Sequence, residues 1–152
     1  MYNVYILNVL EELMEAAYFH CEWGISWVNN QEFITIQFQY PLKDELLPNH
    51  PFETPVYVYQ LILYNSNAID QLQFHQSHTI PIDDKQGIAI GELYCIVEYT
   101  RRQVAKIRLQ LHEQPFSEEL NLIHWNNCEY QRLVQTMKQS GRYNPKRVYF
   151  PY

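Results

Sequence analysis

Residues 56–64 read VYVYQLILY, nine positions of which eight are apolar or aromatic and none is charged. Successive side chains of a strand point to opposite faces, so a run of this kind offers apolar surface on both. It reads as a central strand covered on each side. A chain holding such a strand has to build a sheet around it and supply layers to cover it.

The flanking segments provide candidates. In residues 24–40, GISWVNNQEFITIQFQY, two strand-like runs are joined through Asn29, Asn30 and Gln31. Ile34, Ile36, Phe38 and Tyr40 alternate with Thr35, Gln37 and Gln39, the signature of a hairpin strand with one wet face. Residues 41–55, PLKDELLPNHPFETP, contain four prolines. Proline removes ladder donors and restricts the residue before it, so this stretch is expected as a long surface loop. Further on, DQLQFH (70–75) suggests a short paired strand, SHTIPID (77–83) an irregular connection and DDKQG (83–87) a turn. Residues 87–100, GIAIGELYCIVEYT, then read as a strand with a bulge at Gly91, and QVAKIRLQL (103–111) as another. In the latter, Ala105, Ile107, Leu109 and Leu111 would face one way and Lys106, Arg108 and Gln110 the other.

Helices bracket these strands. Asn8 precedes Glu11 by three positions, a capping-box-like start, and Leu10, Leu13, Met14 and Ala17 recur at helical spacing, predicting a helix over about 9–20. After Pro115, Ser117 followed by Glu118 and Glu119 suits the positive end of a helix that runs to about Gln139 and stops at Gly141. Leu120, Leu122, Ile123, Tyr130, Leu133, Val134 and Met137 form its apolar stripe. Trp125 falls outside the stripe, as the edge of a wide core or as an aromatic anchor for a partner. The expectation is one α+β domain over residues 1–152. It has a twisted, mostly antiparallel sheet of about five to seven strands, with an N-terminal helix and a long C-terminal helix packed on it.

Composition narrows the function classes. The chain is 152 residues long, 47% hydrophobic, with four glycines and no apolar run of membrane-spanning length. It is neither disordered nor low-complexity, and it is not expected to span a membrane. Residues 1–20 hold three glutamates and no basic residue, unlike a secretory leader, and three scattered cysteines do not make a disulfide framework. Both point to the cytoplasm.

The chemistry-bearing residues form no recognised catalytic set. His75 and His78, or His20 with Cys21, offer metal donors without four that converge, so neither metal nor cofactor is expected. His124 and Cys128 stand at i and i+4, which permits a His/Cys enzyme, yet no glycine-rich turn supplies an oxyanion hole. No P-loop or dinucleotide fingerprint occurs.

Charge separates along the chain. Residues 1–84 hold eleven acids and one base, whereas residues 85–152 hold ten bases and six acids, on a net of −6. The leading expectation is therefore a non-enzymatic module, immunity- or inhibitor-like, that binds a basic partner protein and occludes it. Glu11, Glu12, Glu15, Asp44, Glu45, Glu53, Asp83 and Asp84 would steer the partner, with Phe52 and Trp125 as desolvated contacts. Nucleic acid is the second expectation, bound by Arg101, Arg102, Lys106 and Arg108 on a basic strand and by Arg142, Lys146 and Arg147 of the tail. There cations interleave with Tyr143, Tyr149, Phe150 and Tyr152. For the tail, residues 141–152, the simpler expectation is docking onto the domain as an edge strand or clasp, because exposed aromatics in such number invite aggregation.

Overall fold

The computed structural model describes residues 5–19, 21–27, 32–41, 56–70, 78–113 and 125–151. Of the expected loop at 41–55 only Pro41 is described, and it ends a strand; the remainder, residues 71–75 of the strand expected at 70–75, residues 117–124 of the expected helix and the side chains of Tyr40 and Arg108 lie outside the described residues. So do Asp44, Glu45, Phe52, Glu53, His20, His75 and His124.

Strand β2 (Phe33–Pro41) pairs antiparallel with β1 (Glu22–Ser26) on one side and with β3 (Val56–Asn65) on the other. Strand β4 (His78–Ile82) lies parallel to β3 and completes a four-stranded sheet of order β1-β2-β3-β4. Register sorts the side chains. Ile36 sits opposite Ile25 and Leu61, Leu61 opposite His78, and Leu63 between Ile34 and Ile80. These residues share one face, on which Ile34, Ile36, Phe38, Leu61 and Leu63 are essentially without exposure. Ile62 and Tyr64 are buried on the other face as well, but Val58 on that face is 43% exposed, so β3 is covered on both sides towards its C-terminal end and not, as its sequence implied, along its whole length.

The segment around Pro81 is a strand and not an irregular connection. It lies at the sheet's edge, the place in a sheet where the missing amide of a proline is tolerated. A short pair, β5 (Ile88–Ala89) with β6 (Arg147–Val148), makes a second sheet. The fold is α+β and one-domained; among the described residues there is one core cluster, the strands divide four and two, and the larger sheet is mixed.

The largest departure from the sequence reading lies at 90–113. The two strands expected there are one 24-residue helix, α2 (Ile90–Glu113). Leu93, Ile96, Val97, Thr100, Gln103, Val104 and Ile107 are buried at helical spacing. Ala105 and Leu109, expected to face inward with Ile107, are exposed. A run buried almost all round, from Cys95 to Thr100, is rich in β-branched and aromatic residues and resembles a buried strand by composition alone. Burial of the Thr100 hydroxyl is met locally, since it donates to the Ile96 carbonyl at 2.7 Å.

Helix α1 (Ile6–Ala17) starts three residues earlier than its spacing predicted. Asn8 is not its N-cap. It occupies the third helical position, where its Oδ1 accepts from the Tyr5 amide at 3.3 Å, the reaching-back role expected of Glu11. Helix α3 (Asn127–Gln139) is capped by Asn126, whose side chain accepts from the Glu129 amide. Tyr130 and Val134 are buried, and Leu133 and Met137 pack at the margin of the core. Helix α2 packs against both α1 and α3, so the long helix of this fold is the central one.

The C-terminal residues hold the ends of two helices. The first amides of a helix have no partner within it. Here Ile90 and Gly91 donate to the carbonyls of Lys146 and Asn144, both at 2.8 Å, and Ile6 donates to the Tyr149 carbonyl at 2.9 Å. Val148 and Phe150 enter the core, and the Arg147 guanidinium donates to the carbonyls of Gln86 and Gly87. Among the described residues no helix is long and apolar enough to cross a membrane.

Candidate functional site

Helix α1 is strongly two-sided. Ile6, Val9, Leu10 and Met14 are buried, whereas Asn8, Glu11, Glu12 and Glu15 are exposed. At 3.6 residues per turn those four polar positions fall within about 100° of the circumference. Among the described residues no cation stands within ion-pair distance of Glu11, Glu12 or Glu15; the ion pairs formed lie within α2. Among the described residues the late lysines and arginines do not pair with these carboxylates.

The helix then ends on Tyr18. This residue has φ 53°, in the left-handed region, and its side chain is 79% exposed. Glycine is the residue that usually ends a helix this way, because a Cβ is disfavoured there. A large aromatic thus projects into solvent at the end of the helix that carries the three carboxylates. Sequence reading missed Tyr18; a tyrosine directly after the last helical residue, where glycine is usual, was the available signal.

Asp83 and Asp84 belong to a different element, the turn between β4 and β5, and they are structural. Asp83 Oδ1 accepts from the amides of Lys85 at 2.8 Å and Gln86 at 3.3 Å, and from Asn67 Nδ2 at 3.1 Å. The Lys85 amide, above all, holds the Asp83 carboxyl below its ordinary pKa. Asp84 accepts from the same Asn67 Nδ2 at 2.6 Å.

Trp125 stands just before α3, half-buried at the edge of the core. Its ring stacks on His78 at 4.3 Å and meets the rings of Tyr99 and Tyr130. It closes the sheet's β4 side, apart from the acidic helix. Burial depresses the His78 pKa to about 4, so the imidazole is neutral near pH 7.

The basic residues part company. Arg101 forks onto Glu98, with Nε at 3.0 Å and a terminal nitrogen at 2.6 Å, and Arg102 Nε reaches the same carboxylate at 3.2 Å. On the next face of α2, Tyr99, Arg102, Gln103 and Lys106 repeat at i, i+3, i+4 and i+7. With Glu129 and Arg132 of α3 they line an open cleft of about 260 Å³. The strand reading hid this grouping, since period two separates Arg102 from Gln103. Arg142 and Lys146 are exposed near the far end of α2. Among the described residues no three His, Cys, Asp or Glu side chains converge as metal ligands. Cys128 is exposed on the first turn of α3, and Cys95 is buried with its thiol pushed up to about 11, chiefly by desolvation.

No family model matches this sequence, and no curated protein does. Among solved structures, a conserved protein of unknown function from Enterococcus faecalis is similar in fold, with a TM-score of 0.78 at 18% identity. The match covers 100% of this chain and 98% of that one.

Proposed function

We propose that the chain is a small protein-binding module, immunity- or inhibitor-like, that engages a basic partner through the outer face of α1 and occludes it. A nucleic-acid-handling toxin or effector is the kind of partner this chemistry fits. One observation carries the reading. Three carboxylates with no ion-pair partner among the described residues, Glu11, Glu12 and Glu15, share a face of a helix that ends on an aromatic held out of the fold in a disfavoured backbone conformation. Carboxylates of this kind steer a basic partner and set the on-rate, while a protruding tyrosine supplies the desolvated contact on which affinity turns. Backbone strain at an exposed residue is the sort of cost kept where the residue does something. The Cys95 and Cys128 thiols suit a reducing compartment, and the setting we propose is cytoplasmic.

The test is capture from lysate followed by mass identification. The reading expects one stoichiometric basic protein that survives nuclease treatment and is lost from a Glu11→Lys/Glu15→Lys double variant whose melting is unchanged. Tyr18→Gly should weaken capture by about tenfold or more while raising stability by roughly 0.5–1 kcal/mol, because glycine relieves the left-handed strain. Capture that is indifferent to all three positions would sink it.

A further inference from the structure

We infer that the cleft between α2 and α3 binds a small molecule through a phosphate group. Three cations, Arg102, Lys106 and Arg132, approach it from two helices, and Glu129 is the one carboxylate in its lining. Glu129 already accepts from the Tyr99 hydroxyl at 3.2 Å. The neighbouring Glu98 is spent on Arg101 and one nitrogen of Arg102. Among the described residues Lys106 and Arg132 meet no carboxylate. Like charges gathered at one place repel, and an acidic protein has no need to collect them; an anion between them removes the cost.

A second observation points the same way. Gln103 is only 6% exposed and lines the cleft. Its side-chain N–H is a donor that a ligand oxygen in the cleft would accept from. Phosphate suits the set better than carboxylate, because it offers three acceptor oxygens and close to two negative charges to three cations and an amide.

Size and placement separate this ligand from a nucleic-acid strand. A cavity of about 260 Å³ lies just under the range typical of drug-sized ligands, which fits a small phosphorylated metabolite. The tail cations do not extend it into a track. Lys146 and Asn144 bond the start of α2, whereas Arg102 and Lys106 lie about 18 and 24 Å further along the axis at 1.5 Å per residue.

Calorimetric titration of the full chain at constant ionic strength tests this with inorganic phosphate, adenosine monophosphate, adenosine and a short single-stranded oligonucleotide. The two phosphate-bearing ligands should bind saturably at one site and adenosine should give no heat. Lys106→Gln and Arg132→Gln, both at exposed positions and checked for unchanged melting, should each weaken phosphate binding by about tenfold or more. Arg142→Gln should leave it as it is. No saturable phosphate heat up to about 10 mM, or equal binding by the cleft variants, would overturn the inference. Oligonucleotide affinity that grows with length and ignores Lys106 would overturn it too, in favour of a nucleic-acid surface.

Discussion

His78 is where acid acts on a single residue. Its ring faces Trp125 with planes 12° apart, and burial lowers its pKa from 6.5 to about 4. In the unfolded chain the imidazole takes a proton near pH 6.5; in the folded protein it declines one until about pH 4. Stability is therefore full above the unfolded value and falls as pH drops through this window, after which both states are protonated and the slope ends. Because the ring keeps part of its contact with water, the loss is expected at about 1–2 kcal/mol and not the full shift. His78→Phe keeps the stacking surface and should flatten the dependence of the urea midpoint on pH between 6.5 and 4. A variant as acid-sensitive as the parent would move the effect to another group. The sequence displayed His78 as a possible metal donor; its packing on Trp125 was out of reach, because the two are 47 positions apart in the chain.

Gly91 tests how the elements are joined. It occupies the first turn of α2, where glycine ordinarily costs about 1 kcal/mol relative to alanine, so Gly91→Ala would stabilise an isolated helix. In this fold an added Cβ would stand 2.6 Å from the Tyr143 ring and 2.9 Å from the Asn144 amide nitrogen. That ring is held from two sides, by its hydroxyl on Glu92 at 3.4 Å and by Lys138 above it at 5.1 Å. Gly91→Ala should accordingly destabilise by roughly 1–3 kcal/mol, read from thermal unfolding. A gain in stability would mean that the tail does not pack on this turn. The glycine was read as a strand bulge from its neighbours; what it provides is room for a segment more than fifty residues away.

For the molecule as a whole, the C-terminal residues act as a fastening. Carbonyls of Asn144, Lys146 and Tyr149 serve the first amides of α2 and α1, and Phe150 is 3% exposed in the shared core. Phe150→Ala should cost roughly 3–5 kcal/mol and lower the midpoint of one cooperative transition. Loss confined to a small early phase in a chemical-denaturation curve would show the tail melting by itself. The same docking explains why a basic, aromatic end sits on an acidic chain: Val148 and Phe150 are core, and Arg147 is a donor to a neighbouring turn. By itself the sequence determined the α+β class, the hairpin of β1 and β2, the double cover of β3 towards its C-terminal end and the two-sided α1. Each rests on a period of 2 or 3.6, which is local and survives without knowledge of neighbours. Only tertiary structure decided that residues 90–113 are one helix, that Pro81 lies in an edge strand, and that Arg102, Lys106 and Arg132 meet. A segment buried on nearly every side loses its period, and residues on separate helices are brought together by packing, which no local pattern encodes.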